Sequence, residues 1–380
     1  MKVRPNIGIL GGGQLGRMMQ EAALPLNIQL RFLDPSEEAP CSIFMGCFHI
    51  GDWKDTNSVV AFGLEYDVIG LEFEDVSIRG LEELQRQGKK CIPSPNVLSI
   101  IQDKSKQKAF LRDTGIPTLP FQVFNTVGEI QSGYPFILKK AQGGYDGYGV
   151  KKIHAFEDIP TDWKGPFVVE PVCEIEKEIG VLVARNEHGE TAVWEPVEMV
   201  FNAETHMLEH LISPSNLTPE FRQRAIEVAL DCANKLDSTG ILAVELFLSS
   251  TGEFLVNEMA PRPHNSGHWT IEGAVTSQFE QYVRILSGLP LGQTSSIGFS
   301  ATLNVLGAEN ADGVADEDLL RQNVAEIPFA KLHLYGKKKA KPHRKMGHLT
   351  IVAKTAEELH ACLSKIPAKA LRISSLPSKS

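Results

Sequence analysis

The chain has 380 residues, 42% hydrophobic and 22% charged, a globular composition on a chain too long for one compact core. Its 38 basic and 47 acidic side chains leave a net charge of -9, which excludes a general nucleic-acid binder working through a basic surface. The six cysteines (Cys41, Cys47, Cys91, Cys173, Cys232, Cys362) form no Cys-x-x-Cys pair, so no disulfide framework or thiolate zinc site is expected and reduced thiols suit a cytoplasmic protein; no apolar run fits a secretory signal or the roughly 20 residues of a membrane span.

Three short apolar runs, Ile7–Leu10, Gln29–Leu33 and Val68–Phe73, read as buried strands. Helical patterns lie between them near Leu15–Leu24 and Ser58–Leu64, so the order predicts a parallel sheet of strand-helix-strand units. Cys91–Asn96, with Pro93 and Pro95, reads as a turn closing this unit. The loop Gly11-Gly12-Gly13-Gln14-Leu15-Gly16 has G-x-G-x-x-G spacing, and Asp34 ends the next strand where an acid would bind a cofactor ribose. Bare amides at a helix start attract any phosphate, so a dinucleotide, a phosphate-bearing substrate and a structural turn all remain open here.

A charged amphipathic helix follows over Asp103–Thr114, ended by Gly115 and Pro117. The strand-like Phe136–Lys140 leads into Gly143-Gly144-Tyr145-Asp146-Gly147-Tyr148-Gly149 and a second strand, Gly149–Ile153. Lys139 before such a loop suits nucleotide phosphates, with bare amides and room to close; a hairpin turn with a surface lysine is the alternative. No Walker A sequence is present, so a nucleotide site must be of another kind. Phe167–Val172 reads as a strand leading to acids, where the backbone suits an adenine edge and Glu178 suits ribose hydroxyls; surface acids are the plainer reading.

The larger region that follows carries a helix at Pro219–Leu236, a hairpin at Ile241–Met259 and a helix at Ser277–Leu286, then a strand-rich part ending in a helix and a polar tail. A four-residue turn, Ser250–Glu253, sets Glu245 opposite Glu258. Opposed carboxylates repel, and a divalent cation such as magnesium between them removes the penalty; one acid facing solvent would do so too. Asn257 adds a polar ligand or phosphate contact. Pro261 and Pro263 stiffen a loop presenting Arg262, His264, Asn265, Ser266 and His268, which reads as an anion site, with a metal-binding histidine pair or a solvated loop as alternatives. Lys337, Arg344 and Lys345 form a basic patch suited to a phosphate.

The ordered set GGGQLGRM, LEFED, GGYDGYG, VNEMAPRPHNSGHWT with SQFEQ, and YGK…RKMGH resembles the N5-carboxyaminoimidazole ribonucleotide synthase family of ATP-grasp enzymes, over about residues 7–348. The resemblance implies an α/β and α+β multidomain ATP-grasp fold with an N-terminal parallel-sheet, biotin-carboxylase-like domain. We expect divisions at 1–103, 104–165 (a small lid lobe) and 166–380. It implies a homodimer that uses ATP, Mg2+ and bicarbonate to carboxylate 5-aminoimidazole ribonucleotide by way of carboxyphosphate, with no nucleic-acid or membrane partner. Carried over by motif, Lys104, Lys139, Gly144, Tyr145, Asp146, Gly147, Tyr148, Gly149, Val150, Glu170, Pro171, Val172, Cys173, Glu178, Asn257 and Glu258 are the nucleotide contacts. Glu245 and Glu258 are the metal ligands. Gln14, Leu15, Glu72, Tyr145, His264, Asn265, Ser266, Lys337, Arg344 and Lys345 are similar to ribonucleotide contacts, and Arg262, Glu72, Tyr145 and Asp146 are the catalytic candidates. The adenine segment EPVCEIEKEIG departs from the common pattern at Pro171, and no histidine is assigned in the long stretch 194–215. A formate-using transformylase of the same superfamily, a dinucleotide oxidoreductase and a non-catalytic nucleotide sensor are the rival functions.

Overall fold

The computed structural model describes residues 4–375 apart from 131–132, 145–148, 202–207, 326, 328 and 367–370. Its first unit is a five-stranded parallel sheet in the order β3-β2-β1-β4-β5, made of β1 (Ile7–Leu10), β2 (Leu30–Asp34), β3 (Phe48–Ile50), β4 (Val68–Leu71) and β5 (Lys90–Ile92). β1 and β4 are buried along their whole length, as strands covered on both faces must be. Helices α1 (Gln14–Ala23), α2 (Thr56–Gly63) and α3 (Ile78–Arg86) cross between strands, and α4 (Pro95–Ile101) follows β5. The expected turn at Cys91–Asn96 is therefore a strand end and a helix start. Ser94 caps the Val97 amide and Pro95 occupies the first turn, a helix-start signature that two prolines disguised.

Asp103 accepts from the Ser105 and Lys106 amides and starts α5 (Lys104–Asp113). Then β6 (Gln122–Phe124), β7 (Phe136–Lys140), β8 (Val150–Ile153) and β9 (Phe167–Pro171) form a small antiparallel sheet in the order β6-β9-β7-β8. β9 thus carries the small sheet past residue 165. The remaining strands form a twelve-stranded sheet whose edge is the hairpin Gly240–Ser249 and Phe254–Ala260. The helix Pro219–Lys235 packs on it through Ala225, Ala229 and Cys232.

One apolar core runs from β1 and α1 into the large sheet through Trp269, Phe279 and Tyr282 of the segment after the hairpin. The Tyr282 hydroxyl accepts from Leu71 N at 2.9 Å and donates to Ile92 O at 2.7 Å, so it pins the ends of β4 and β5 to the large sheet. Burial pushes this phenol above its ordinary value, so it stays protonated and keeps both bonds. The pin matters because β4 runs directly into Glu72 and Glu74. Among the described residues no helix is long and apolar enough to cross a membrane.

Candidate active site

A cavity of about 830 Å³ opens where the end of β4, the start of α1, the start of α5, the glycine segment after β7 and the hairpin with its following loop converge. Gln14, Leu15, Glu72, Lys104, Gly144, Glu245, Glu258, Arg262, His264, Asn265 and Lys345 all line it, so residues scattered over 330 positions meet in one chamber. Its apolar wall comes from Trp53, Phe73, Met199, Phe201 and Leu208.

The remaining candidates stand elsewhere. Lys139, Glu170 and Asn257 do not line the cavity: Lys139 pairs with Glu170 and donates to the Asn257 carboxamide, and Ser266 is buried. Pro171 and Val172 are exposed and Cys173 is partly so, after the end of β9; Val150 is exposed at the start of β8, beside Gly149. Lys337 donates to Lys345 O at 2.7 Å, and Arg344, exposed, donates to Lys339 O at 2.8 Å. Tyr145, Asp146, Gly147 and Tyr148 lie outside the described residues.

The ladder pairs Glu245 with Glu258, though not by the simple turn count. The last pair at the turn is Leu248 with Phe254, a register that alone would set Glu245 against Asn257. A β-bulge restores the acid pair and leaves Asn257 as the extra residue. The Asn257 carboxamide oxygen then accepts from Lys139 Nζ at 2.9 Å. Gln107 holds the hairpin here, its side chain accepting from Met259 N at 2.9 Å.

Two facing carboxylates need cations. Lys104 reaches Glu258 in a close ion pair, and His264 Nε2 stands 3.6 Å from Glu245 Oε1. Lys104 holds the Glu258 carboxyl down to about 2. Conversely, burial works against the Lys104 ammonium, but Glu258 and Glu245 outweigh it and raise its pKa. Two hard oxygen donors on adjacent strands fit magnesium, which keeps several waters and takes its other ligands from phosphate. Among the described residues no group of three or more His, Cys, Asp or Glu is placed to hold a metal ion, so the pair offers two ligands and not a closed protein cage.

Arg262 grips Glu74 through both nitrogens of its fork, Nη2 to Oε1 at 3.1 Å and Nε to Oε2. Burial would raise the Glu74 carboxyl, but Arg262 prevails and holds it low. Glu74 thus sets the arginine's orientation.

The glycine loop differs from expectation. Its helix-start amides are taken: Glu72 accepts from Gly13 N and from Leu15 N at 3.0 Å, and Asp34 accepts from Gly12 N at 2.9 Å. A side chain at Gly13 would collide with Glu72, which explains that glycine. The loop is filled by the protein's own carboxylates in this structure. Burial pushes Glu72 above the usual carboxylate range, against the pull of those amides.

Three segments holding ribonucleotide candidates are joined by stacked rings. His333 stacks on His348 at 4.5 Å, His348 on His268 at 4.6 Å, and His268 on Phe279 at 5.8 Å. Tyr335 OH bonds His348 Nδ1 at 3.0 Å, and His333 bonds Glu272 at 2.7 Å. Burial pushes His268 and His348 well below the ordinary histidine value, and neighbouring His264, Lys345 and His333 push His268 the same way. The unfolded chain therefore binds protons below about pH 6.5 that the native state refuses, so stability falls as pH drops through that value. Replacing His348 with Phe keeps a stacked ring without the proton site. The loss of stability between pH 7 and pH 5.5 is expected to shrink by about 1.2 kcal/mol in that variant. Denaturant melts at both pH values check this; an unchanged difference would mean the ring is not held neutral.

Sequence reading missed Glu74 in the cavity, Lys108 in its ion pair with Glu170, and the neutral state of His348. The first two had a signal. Glu72 and Glu74 alternate in LEFED, and Lys104 and Lys108 are one helical turn apart. The apolar wall had none, because it gathers the loops after β3 and β4 with strands Val197–Phe201 and Leu208–Ser213.

Known proteins share this architecture. Residues 4–102 match the ribonucleotide synthetase preATP-grasp domain, 109–279 the ATP-grasp domain and 300–361 the phosphoribosylaminoimidazole carboxylase C-terminal domain. The N5-carboxyaminoimidazole ribonucleotide synthase of Bacillus subtilis is 33% identical over 362 residues, 93% of this chain and 92% of that protein. The chloroplastic phosphoribosylaminoimidazole carboxylase of Vigna aconitifolia is 36% identical over 94% of this chain, which spans only 66% of that longer protein. Among solved structures, N5-carboxyaminoimidazole synthase of Aspergillus clavatus with ADP and 5-aminoimidazole ribonucleotide superposes with a TM-score of 0.85 at 32% identity, covering 94% of this chain and 96% of that one.

Proposed function

The chain belongs to the N5-carboxyaminoimidazole ribonucleotide synthase family of ATP-grasp enzymes, and on that premise we propose that it joins ATP, bicarbonate and 5-aminoimidazole ribonucleotide to give N5-carboxyaminoimidazole ribonucleotide, ADP and phosphate. The observation that carries the reading is the Glu245–Glu258 pair on one cavity wall, with Arg262 beside it and the end of β4 across from it. Magnesium held by the two carboxylates supplies charge neutralisation on the nucleotide phosphates.

Lys104 and Lys139 add fixed positive charge, since phosphoryl transfer depends above all on positioning and charge compensation. Glu178 sits near Lys139, and burial lifts its carboxyl to about 7, which suits an acid bonded to neutral hydroxyls such as those of ribose. Bicarbonate oxygen attacks the terminal phosphorus, ADP leaves, and carboxyphosphate remains against the Arg262 guanidinium. Gly143 and Gly144, which line the cavity, present bare backbone to it. His264, Asn265 and Ser266 with Lys337, Arg344 and Lys345 hold the ribonucleotide, its phosphate toward the cations. Its exocyclic amine then attacks the carboxyl carbon, or carbon dioxide released from it, and phosphate departs. Glu72, with its raised pKa, is suited to take the amine proton. The finer expectations are a homodimer, a cytoplasmic location, and lobes divided near residues 103 and 165.

Phosphate release with bicarbonate, with and without 5-aminoimidazole ribonucleotide, tests the reading. It is expected only with the ribonucleotide and bicarbonate together. Release driven by formate with glycinamide ribonucleotide, or no ATP consumption under any condition, would overturn it.

A further inference from the structure

The segment carrying Lys139 is tied to a buried charge cluster in which Lys108 has no role above. Helix α5 sets Lys104 and Lys108 one turn apart on the same face. Lys104 serves Glu258, whereas Lys108 points into the protein, its Nζ 2.5 Å from Glu170 Oε1 and 2.7 Å from Thr118 Oγ1. The other oxygen of Glu170 takes Lys139 Nζ at 2.7 Å. The three side chains are 3%, 1% and 9% exposed.

Two ammonium groups share one carboxylate, so the cluster holds one positive charge in excess. Among the described residues neither lysine has an ion pair with any other acid. Buried ions persist when paired, and an extra buried cation is costly, so a one-to-one pair would be the stable design. Burial pushes Lys108 down to about 8, with Glu170 opposing, so it still carries its charge at neutral pH. Burial also works against the Glu170 carboxylate, but Lys139 and Lys108 together hold it ionised.

We propose that Lys108 is a positioning residue for nucleotide binding: by taking half of Glu170 it keeps Lys139 from being neutralised, so that one net positive charge faces the ATP phosphates. This rests on the nucleotide reading given above. Without Lys108, Glu170 belongs wholly to Lys139, and the cluster presents no net charge. Lys108 itself touches no nucleotide.

The test is calorimetric titration with magnesium ATP, alongside steady-state kinetics. Wild-type protein is measured first, and absence of binding there would overturn the nucleotide reading itself. Lys108→Gln keeps a hydrogen-bonding side chain without the charge. It is expected to weaken ATP binding about tenfold, as one elementary charge several ångströms away in a partly wet site does, while KM for 5-aminoimidazole ribonucleotide stays within about twofold. Lys108→Arg, which keeps the charge, is expected to retain most of the affinity. Wild-type affinity in Lys108→Gln, or equal damage in both variants, would reduce Lys108 to a packing element and overturn the inference. Where Lys108→Gln fails to fold, Lys108→Met, which fills the same space with an uncharged chain, takes its place. It is expected to show the same loss of ATP affinity, about tenfold, and wild-type affinity there would overturn the inference as well.

Discussion

Glu258→Gln is expected to lower ribonucleotide-dependent phosphate release by about a thousandfold at saturating substrates, the scale set by losing one preorganised electrostatic partner of a phosphoryl transfer. The size follows from two functions meeting on one side chain. Glu258 is one of only two carboxylates on the cavity's hairpin wall, and it is also the partner of Lys104. Neutralising it leaves Glu245 alone to hold magnesium and leaves Lys104 without its counter-charge. The two consequences separate experimentally. Loss of the metal ligand raises the magnesium concentration needed for half-maximal rate, whereas loss of the Lys104 pair alone does not. Lys104→Met is the control for the second effect, since it leaves both carboxylates in place. Turnover within tenfold of wild type in Glu258→Gln, with an unchanged magnesium requirement, would remove the pair from the chemistry.

Arg262→Ala is expected to abolish bicarbonate-dependent turnover, by about a hundredfold or more, while ATP binding stays within about threefold of wild type. The guanidinium is fixed by Glu74 through two nitrogens and donates to Pro263 O at 3.1 Å, so its orientation is set by the protein and costs no reorganisation during reaction. Removing it also strands Glu74, so a melt accompanies the kinetics. Glu74→Gln in the Arg262→Ala background relieves that carboxylate and is expected to recover stability without recovering rate. Arg262→Lys is expected to recover little, because a point charge replaces neither of the two parallel bonds. Near-normal phosphate release in Arg262→Ala would assign the bicarbonate to another residue, with Lys345 and His264, which line the same cavity, as the alternatives.

Much of this was legible in the chain because the relevant signals are local. Asp103 before a charged helix, Lys139 at a strand end before glycines, and Pro261–His268 crowded with donors each announce themselves within a few residues. The acid pair was readable from the hairpin, although the count of turn residues reached the right partner by the wrong route. The bulge at Asn257 is a compensation no turn rule supplies, and it is what turns that side chain toward Lys139. Long-range arrangements were not legible. Glu170 reads as a strand-end acid, and only the crossing of α5, β7 and β9 makes it the shared partner of two lysines. The glycine loop misleads in the opposite direction, because the carboxylates that occupy its amides lie on other strands, 22 and 59 residues away.

The most direct measurement is a crystal structure of the protein with manganese and a non-hydrolysable ATP analogue, read by anomalous scattering. The expected result is a metal peak between Glu245 and Glu258, about 2.1 Å from an oxygen of each, with a phosphate oxygen completing its shell. A metal held only by the phosphates, with Lys104 still covering Glu258 and Glu245 turned away, would contradict the assignment of the hairpin acids on which the mechanism stands.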